Sequence, residues 1–222
     1  KEGGYWQAIA SNQKSITTIK VQLALDANNE FFGKMGITTK GYRASEKREK
    51  INTQKEDAYI EQLENKNADL LVDNYTNTNL TNFEKPLKET FDIVLESDLE
   101  SSENLRINPF IIGKTKENPF KLNERNYPVD FGYTRKYTYM FSFTVPESYT
   151  VTKIPKNKAT KLPNNGGLFL MNTTQKNQKV NVILKFNINK KIYSQEEYYY
   201  LKEFYKQLIE AENSYIKIVK KK

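Results

Sequence analysis

Two copies of the triplet Asn-Pro-Phe are the first feature of the sequence that could support binding. They lie ten residues apart, at Asn108-Pro109-Phe110 and Asn118-Pro119-Phe120. In a flexible, exposed loop such a triplet could be a peptide ligand. However, Asn before Pro favours a turn, and the Phe that follows can fill a gap in a hydrophobic core. Strand-like residues precede the first copy, so we expect both rings to be buried and both Asn side chains to bind nearby backbone.

Charged side chains supply the next candidates, and each has an ordinary structural explanation. Arg125 and Asp130 flank the bend at Pro128 and could form a catalytic pair, but such residues more often fix a loop. Two carboxylate pairs fall on predicted helices at spacings that capping and i,i+4 pairing explain: Glu196/Glu197 and Asp57/Glu61. A glycosidase needs two carboxylates facing each other across a cleft, which spacing alone does not show. We therefore predict no catalytic residue.

A run of tyrosines, Tyr198–Tyr200, together with Phe204 and Tyr205, could form an aromatic platform for a sugar or a nucleic acid. On a helix, however, consecutive side chains point about 100° apart and cannot share one flat face. We expect Tyr198 and Tyr205 to lie in the core and Tyr199 to be partly exposed.

The amino-acid composition removes several kinds of chemistry. The 222 residues include no Cys and no His. Thiol nucleophiles, imidazole bases, disulfides and most zinc or copper sites are therefore excluded. The sequence also contains no glycine-rich phosphate loop. We predict that the chain is not an enzyme by itself and that it binds no cofactor or metal.

The charge and hydropathy patterns bear on the class of partner. The formal net charge is +8, but the lysines are interleaved with acids, and the densest run is Lys220–Lys222 at the end. Nucleic-acid modules gather Arg and Lys on one face, so we expect no specific nucleic-acid binding. No apolar run reaches the roughly 18 residues that cross a bilayer, and no signal peptide is recognisable. The chain opens without Met, which suggests a mature or excised piece.

The elements that position these residues are mainly strands. Alternating apolar and polar residues predict a hairpin from 16–27 and 31–39, and the clearest strand is 179–189. A Glu- and Lys-rich stretch after Ser45 predicts one surface helix near 45–65, with Ser45 as its N-cap. A capping box of Ser194 and Glu197 begins a C-terminal helix near 194–212. Further strands are predicted at 69–75, 90–97, 137–145, 151–154, 167–172 and 215–219.

These elements predict a mainly β (α+β) chain containing an antiparallel β-sandwich-like module. The Asn- and Thr-rich stretch 76–88 is the best candidate for a boundary. We therefore expect a linker at 1–13, a β-hairpin and helix unit at 14–80, and a sandwich-like domain at 86–222 that is closed by the C-terminal helix.

Several segments, taken in order, resemble the region that follows the catalytic core in Bacteroidetes-type exported transglutaminase-like proteins, a domain of unknown function. These segments are LALDANNEFFGK, KGYRASEKREK, INPF with ENPF, RNYPVDFGYTRKYTYMF, VPESYTVTKIPK and EEYYYLKEFYKQLIEAENSYIKI. The resemblance implies an exported parent in the periplasm or cell envelope. It also implies a neighbouring core that uses Cys, His and Asp. This chain has no Cys or His, so no catalytic residue carries over.

Three hypotheses follow for function. The preferred one is a non-catalytic accessory domain that packs on or positions the adjacent transglutaminase-like core. The alternative is an envelope glycan- or protein-binding module, which a groove lined by exposed tyrosines and Trp6 would favour. The third is a carboxylate hydrolase, which two facing carboxylates would favour. A large exposed apolar patch would favour the first.

Overall fold

The computed structural model describes residues 14–26, 30–67, 69–95 and 103–221. These residues form thirteen strands: β1 (Ser15–Leu25), β2 (Phe31–Lys40), β3 (Leu70–Thr78), β4 (Leu87–Leu95), β5 (Asn104–Ile107), β6 (Val129–Asp130), β7 (Arg135–Thr144), β8 (Tyr149–Lys153), β9 (Lys158–Lys161), β10 (Gly167–Lys176), β11 (Lys179–Ile188), β12 (Ile192–Tyr193) and β13 (Ile216–Lys220). Their three α-helices are α1 (Tyr42–Thr53), α2 (Glu56–Lys66) and α3 (Tyr198–Glu212). The predicted class, mainly β with α+β character, is confirmed.

Eight of these strands form one wide sheet in the order β3-β4-β2-β1-β7-β11-β10-β9. Its neighbouring pairs are antiparallel except for β1 and β7, which run parallel with Ile19 opposite Tyr139. A tight turn cannot join two parallel strands. After β1, the chain therefore forms β2, β3 and β4 before it returns to the sheet as β7. The parallel pair is thus a seam between a first half (β3-β4-β2-β1) and a second half (β7-β11-β10-β9).

Alternation along the strands buries one face of this sheet and leaves the other open. In β1, Ile19, Val21 and Leu23 are almost fully buried, whereas Lys20 and Gln22 on the opposite face are exposed. Successive side chains of a strand point to opposite faces, and the neighbouring strands β2 and β7 follow the same rule. In β3, a register shift between Val72 and Asn74 interrupts the alternation. The predicted hairpin of β1 and β2 is confirmed.

Two helices cover the first half of the sheet where one had been predicted. The helix expected near 45–65 is divided into α1 and α2 by Gln54 and Lys55, whose backbones are extended. Packing explains the break, because α1 lies over β1 and β2 whereas α2 lies over β3, and the strands of a sheet twist relative to one another. Ser45 lies inside α1 and does not cap it. The capping position is Gly41, whose φ of 65° suits glycine.

The second half is covered by α3 and by a three-stranded sheet, β5-β13-β8. This small sheet contributes Leu105, Ile107, Ile216 and Ile218 to the same buried cluster as the main sheet. The helix predicted near 194–212 begins at Tyr198, so its N-cap is Glu197 and not the predicted Ser194, and no side chain caps it. Of the predicted capping box, one hydrogen bond is present: a carboxylate oxygen of Glu197 accepts the Ser194 backbone N–H at 3.0 Å.

Strands from both predicted units share the main sheet, since β4 pairs with β2 and with β3. The division at 14–80 and 86–222 remains a prediction about domains, and the linker 1–13 lies outside the described residues. Within the described part of the chain, no helix combines the length and hydropathy needed to span a membrane.

Candidate functional site

The two Asn-Pro-Phe turns are structural anchors, as expected. The rings of Phe110 and Phe120 are 1% and 5% exposed. Each Asn side chain accepts the backbone N–H two residues later, at 2.8 Å for Asn108 and 2.9 Å for Asn118. The same side chains donate to α3: Asn108 Nδ2 to the Glu212 carbonyl at 2.9 Å, and Asn118 Nδ2 to the Lys202 carbonyl at 2.8 Å. Buried rings in bonded turns do not suit a ligand motif in a flexible loop.

The other sequence candidates also have local roles. Arg125 Nε donates to the Tyr127 carbonyl at 3.1 Å, and Asp130 accepts the Gly132 N–H at 2.7 Å, so both side chains bind within the bend. Glu196 and Glu197 lie at the entry to α3, and Asp57 and Glu61 lie on α2. No group of three or more acidic side chains among the described residues could hold a metal ion.

The tyrosine run does not form a platform. Tyr198 and Tyr205 are buried in the core, while Tyr199 and Tyr200 are 63% and 50% exposed and meet edge to face. Phe204 is also buried, against Phe186. Trp6, the other aromatic residue considered for a binding groove, lies outside the described residues.

A cleft of about 1480 Å³ lies on the covered side of the sheet. It lies over the seam between the two halves. One wall is made by α1 and α2, and the opposite wall by residues 104–116 with Tyr215. The floor comes from β1, β2 and β7, with Ile37 and Tyr137 among its residues. Ligand sites commonly occur where two structural units meet, so this cleft is the candidate functional site.

The lining of this cleft is strongly basic. Among the described residues that line it, three are acidic, namely Glu46, Asp69 and Glu212, and nine are cationic: Arg43, Lys47, Lys50, Lys66, Arg106, Lys114, Lys116, Arg135 and Lys136. Arg43, Lys47 and Lys50 share one face of α1, because residues at i, i+4 and i+7 lie above one another on a helix. The arrangement can attract and hold an anionic group.

A buried carboxylate anchors the α1 wall. Glu89 on β4 is 1% exposed and forms an ion pair with Lys47. It also accepts a hydrogen bond from the hydroxyl group of Tyr59 on α2. Burial, together with the charge of Glu89, raises the pKa of Tyr59, so the phenol keeps its proton and remains a donor. This network ties α1, α2 and β4 together beneath the cleft.

A second buried carboxylate, Glu212, lies at the end of α3 and lines the cleft. Its carboxylate accepts the Thr115 N–H at 2.8 Å and so holds the opposite wall against the helix. Burial raises the pKa of Glu212 to about 7, although the hydrogen bonds from Thr115 and the charge of Lys114 act in the opposite direction. A carboxyl with this pKa is a potential acid or base, and here its observed bonds are structural.

The open face of the sheet carries a second candidate surface. Four apolar side chains lie side by side across β3, β4, β2 and β1: Leu71 opposite Val94, Val94 opposite Phe32, and Phe32 opposite Ala24. We call this set the apolar row. Phe32 and Leu71 are 46% and 41% exposed, well above the buried positions that alternate with them.

Sequence reasoning missed both surfaces. The cleft cations come from positions 43 to 136 and form short groups at 43–50, 114–116 and 135–136 that are far apart in the sequence. The apolar row combines residues from four strands, so each member looks like an isolated exception in its own strand. Local alternation could have found Phe32, which follows a buried Phe31 and therefore faces outward.

Comparison with known proteins identifies the family of part of this chain. Residues 103–218, more than half of the chain, match the model of a family described as a domain of unknown function with solved structure, DUF3858. The crystal structure of a candidate protease from Parabacteroides distasonis is similar over 55% of this chain, with 12% identity and a TM-score of 0.44. This chain covers 24% of that protein. No curated protein matches the sequence.

Proposed function

The chain belongs to the DUF3858 family, and on this premise we propose that it is a non-catalytic accessory domain of an exported transglutaminase-like protein. Its task is to pack on or position the catalytic core of that protein in the periplasm or cell envelope. The sequence segments quoted above support this parent, and two of them, at 23–34 and 40–50, lie outside the family match.

The observation that carries this proposal is the apolar row on the open face of the sheet. At the usual strand spacing of about 4.8 Å, its four side chains extend over roughly 15 Å. An antiparallel sheet that meets only water normally places polar residues on its open face. A contiguous exposed apolar set marks an interaction surface. The catalytic core is the occupant to which we assign it.

The charges on the same face define what the core must present. Lys20, Lys88 and Lys185 are exposed there. Lys34 is paired with Asp92 at 2.6 Å. The matching surface of the core should therefore have an apolar centre and acidic groups at its rim.

The lack of Cys and His in this chain supports a non-catalytic role. A transglutaminase-like reaction needs a thiolate activated by an imidazole, and these groups must come from another domain. The isolated chain should have no transglutaminase or protease activity. Amide cleavage by the pure chain that persists after iodoacetamide treatment would contradict this proposal.

The docking test uses the transglutaminase-like core and this chain as separate proteins in an isothermal titration. The wild-type chain should bind the core. The double variant Phe32→Asp/Leu71→Asp should bind at least tenfold more weakly, because each change places an unpaired charge in an apolar contact. Tyr127→Asp is the matched control, since Tyr127 is 77% exposed and lies outside the apolar row. Its affinity should stay within twofold of wild type.

Two results would refute the docking function. One is a core that does not bind the wild-type chain and gains no thermal stability from it. The other is an equal loss of affinity in the control and in the row variant. Circular dichroism must first show that all three chains are folded.

A second candidate, an envelope protein- or glycan-binding module, is favoured by the basic cleft. The cleft lies on the covered side of the sheet, so it is separate from the apolar row and can be tested independently.

A further inference from the structure

We propose that the cleft binds an acidic, extended peptide segment of a partner protein. This inference goes beyond docking of the catalytic core, because it concerns the opposite side of the sheet and a different kind of contact. Four features of the cleft support it: the charge, the apolar floor, the edge strand and the contacts of the aromatic rings.

The cleft has an excess of positive charge, since nine cations and three acids line it. Several of these cations also contact protein groups: Arg43 lies 3.0 Å from Glu46, Lys47 is paired with Glu89, and the Lys50 ammonium lies 5.4 Å from the Tyr59 ring. Cations lie on both walls, with Lys50 and Lys66 on the helical side and Lys114 and Lys116 on the opposite side. An anion between the walls would be attracted from two sides.

The electrostatics of the α1 wall agree with this arrangement. Burial lowers the pKa of Lys50, and the neighbouring cations Lys66, Lys47 and Arg43 lower it further, against the opposing effect of Glu89. A cation that is crowded by like charges is relieved when a carboxylate binds beside it.

The floor of the cleft is apolar, and this favours a peptide over a simple anion as the ligand. Besides the charged residues, the floor and the rest of the lining contribute aliphatic and aromatic side chains: Phe31, Ile37, Leu70, Leu95, Ile107 and Ile111. A ligand with alternating acidic and apolar side chains can place carboxylates on the rims and apolar groups on the floor. The volume of about 1480 Å³ exceeds the 300–1,000 Å³ typical of small-molecule pockets and suits a longer chain.

The third argument is main-chain recognition. β5 is an edge strand of the three-stranded sheet, and its residues Asn104 and Arg106 line the cleft. An edge strand presents main-chain donors and acceptors that an extended peptide can pair with. A sugar chain or a nucleic acid offers no matching ladder.

The fourth argument concerns the rings that line the cleft. Tyr133 stacks on Tyr42 with centroids 4.8 Å apart, and the Arg135 guanidinium lies 4.9 Å from the same ring. Tyr215 has Arg106 at 5.2 Å and the Lys153 ammonium at 4.0 Å. Sugars and single-stranded nucleic acids bind through open aromatic faces, whereas these rings are engaged by protein groups. The cleft therefore favours a peptide over a sugar chain or a single-stranded nucleic acid.

The test measures fluorescence anisotropy of labelled eight-residue peptides in 150 mM salt. A Leu-Glu repeat should bind at least tenfold more tightly than a Leu-Gln repeat and than a Gly-Glu repeat. The variant Lys50→Glu/Lys66→Glu should weaken binding of the Leu-Glu peptide at least tenfold. The matched control Lys20→Glu/Lys185→Glu has the same change in net charge on the open face, and its affinity should change less than twofold. If the first variant fails to fold, Lys114→Glu/Lys116→Glu tests the opposite wall.

Several outcomes would overturn the peptide proposal. These are equal affinity for the acidic and neutral peptides, or an equal loss in the control, which would show nonspecific attraction. Competition by a galacturonate oligomer or by a dT12 strand at the same concentration as the peptide would assign the cleft to a glycan or a nucleic acid. The variant Phe32→Asp/Leu71→Asp should bind the peptide with wild-type affinity. The docking of the catalytic core and the binding of the peptide can therefore be lost separately, and the two proposals can fail independently.

Discussion

Replacing the buried carboxyl of Glu212 by an amide should change how the stability of the protein depends on pH. The pKa of Glu212 rises from 4.5 in the unfolded chain to about 7 in the folded protein. The folded state therefore binds more protons than the unfolded state between these values, and stability falls as the pH rises through this range. At about 1.4 kcal/mol per pKa unit, the full effect is roughly 3 kcal/mol.

Glu212→Gln should remove this dependence without removing the bond. The amide oxygen of Gln can still accept the Thr115 N–H, which now lies 2.8 Å from a carboxylate oxygen. The amide stays neutral at every pH. The stability of the variant relative to wild type should therefore increase between pH 5 and pH 8, by about 2–3 kcal/mol.

Urea denaturation at both pH values, followed by circular dichroism, measures the two stabilities. Glu210→Gln is the control: Glu210 lies on the same helix, and Lys158 at 3.0 Å lowers its pKa. The pKa of Glu210 is low in both states, so the stability of this variant relative to wild type should stay nearly constant from pH 5 to pH 8. A constant difference for Glu212→Gln as well, or a relative loss at pH 8, would refute the reasoning.

Four further substitutions test the packing and the buried hydrogen bonds. Phe110→Ala or Phe120→Ala should each cost about 3–5 kcal/mol in urea denaturation, whereas Phe83→Ala, at a ring that is 69% exposed, should stay within about 0.5 kcal/mol. Leu208→Ala in α3 should cost about 2–5 kcal/mol, and an unchanged midpoint would contradict the packing of this helix. Arg48→Lys should cost about 1–3 kcal/mol, because one ammonium cannot replace a buried guanidinium that donates to three carbonyls; full stability would refute that role.

The local pattern predicted the strands and the core-facing residues well. The alternation in β1 and β11 identified both their length and their buried face. The spacing on the C-terminal helix placed Tyr198 and Tyr205 in the core, where both are buried, although the burial of Phe204 was missed. These successes share a cause, because burial on one face of an element imposes a period that is visible within that element.

The features that were missed depend on residues distant in the chain. The break between α1 and α2 falls at Gln54 and Lys55, which are not helix breakers, so packing on different strands decides it. The parallel pairing of β1 with β7 joins strands more than a hundred residues apart, and alternation does not specify a partner. The cleft depends on that pairing, since it lies over the seam, and so it could not be predicted from local spacing.

The two Asn-Pro-Phe turns have a consequence for how this chain can change in length. They are ten residues apart, and so are the carbonyls of Lys202 and Glu212 that they bind, an interval of about 15 Å along α3. Surface loops usually tolerate added or lost residues. Here an insertion within α3 would turn one carbonyl by about 100° away from its Asn, and a deletion in 111–117 would shorten only one side of the match. Chains that keep both turns should therefore show no length variation in either segment.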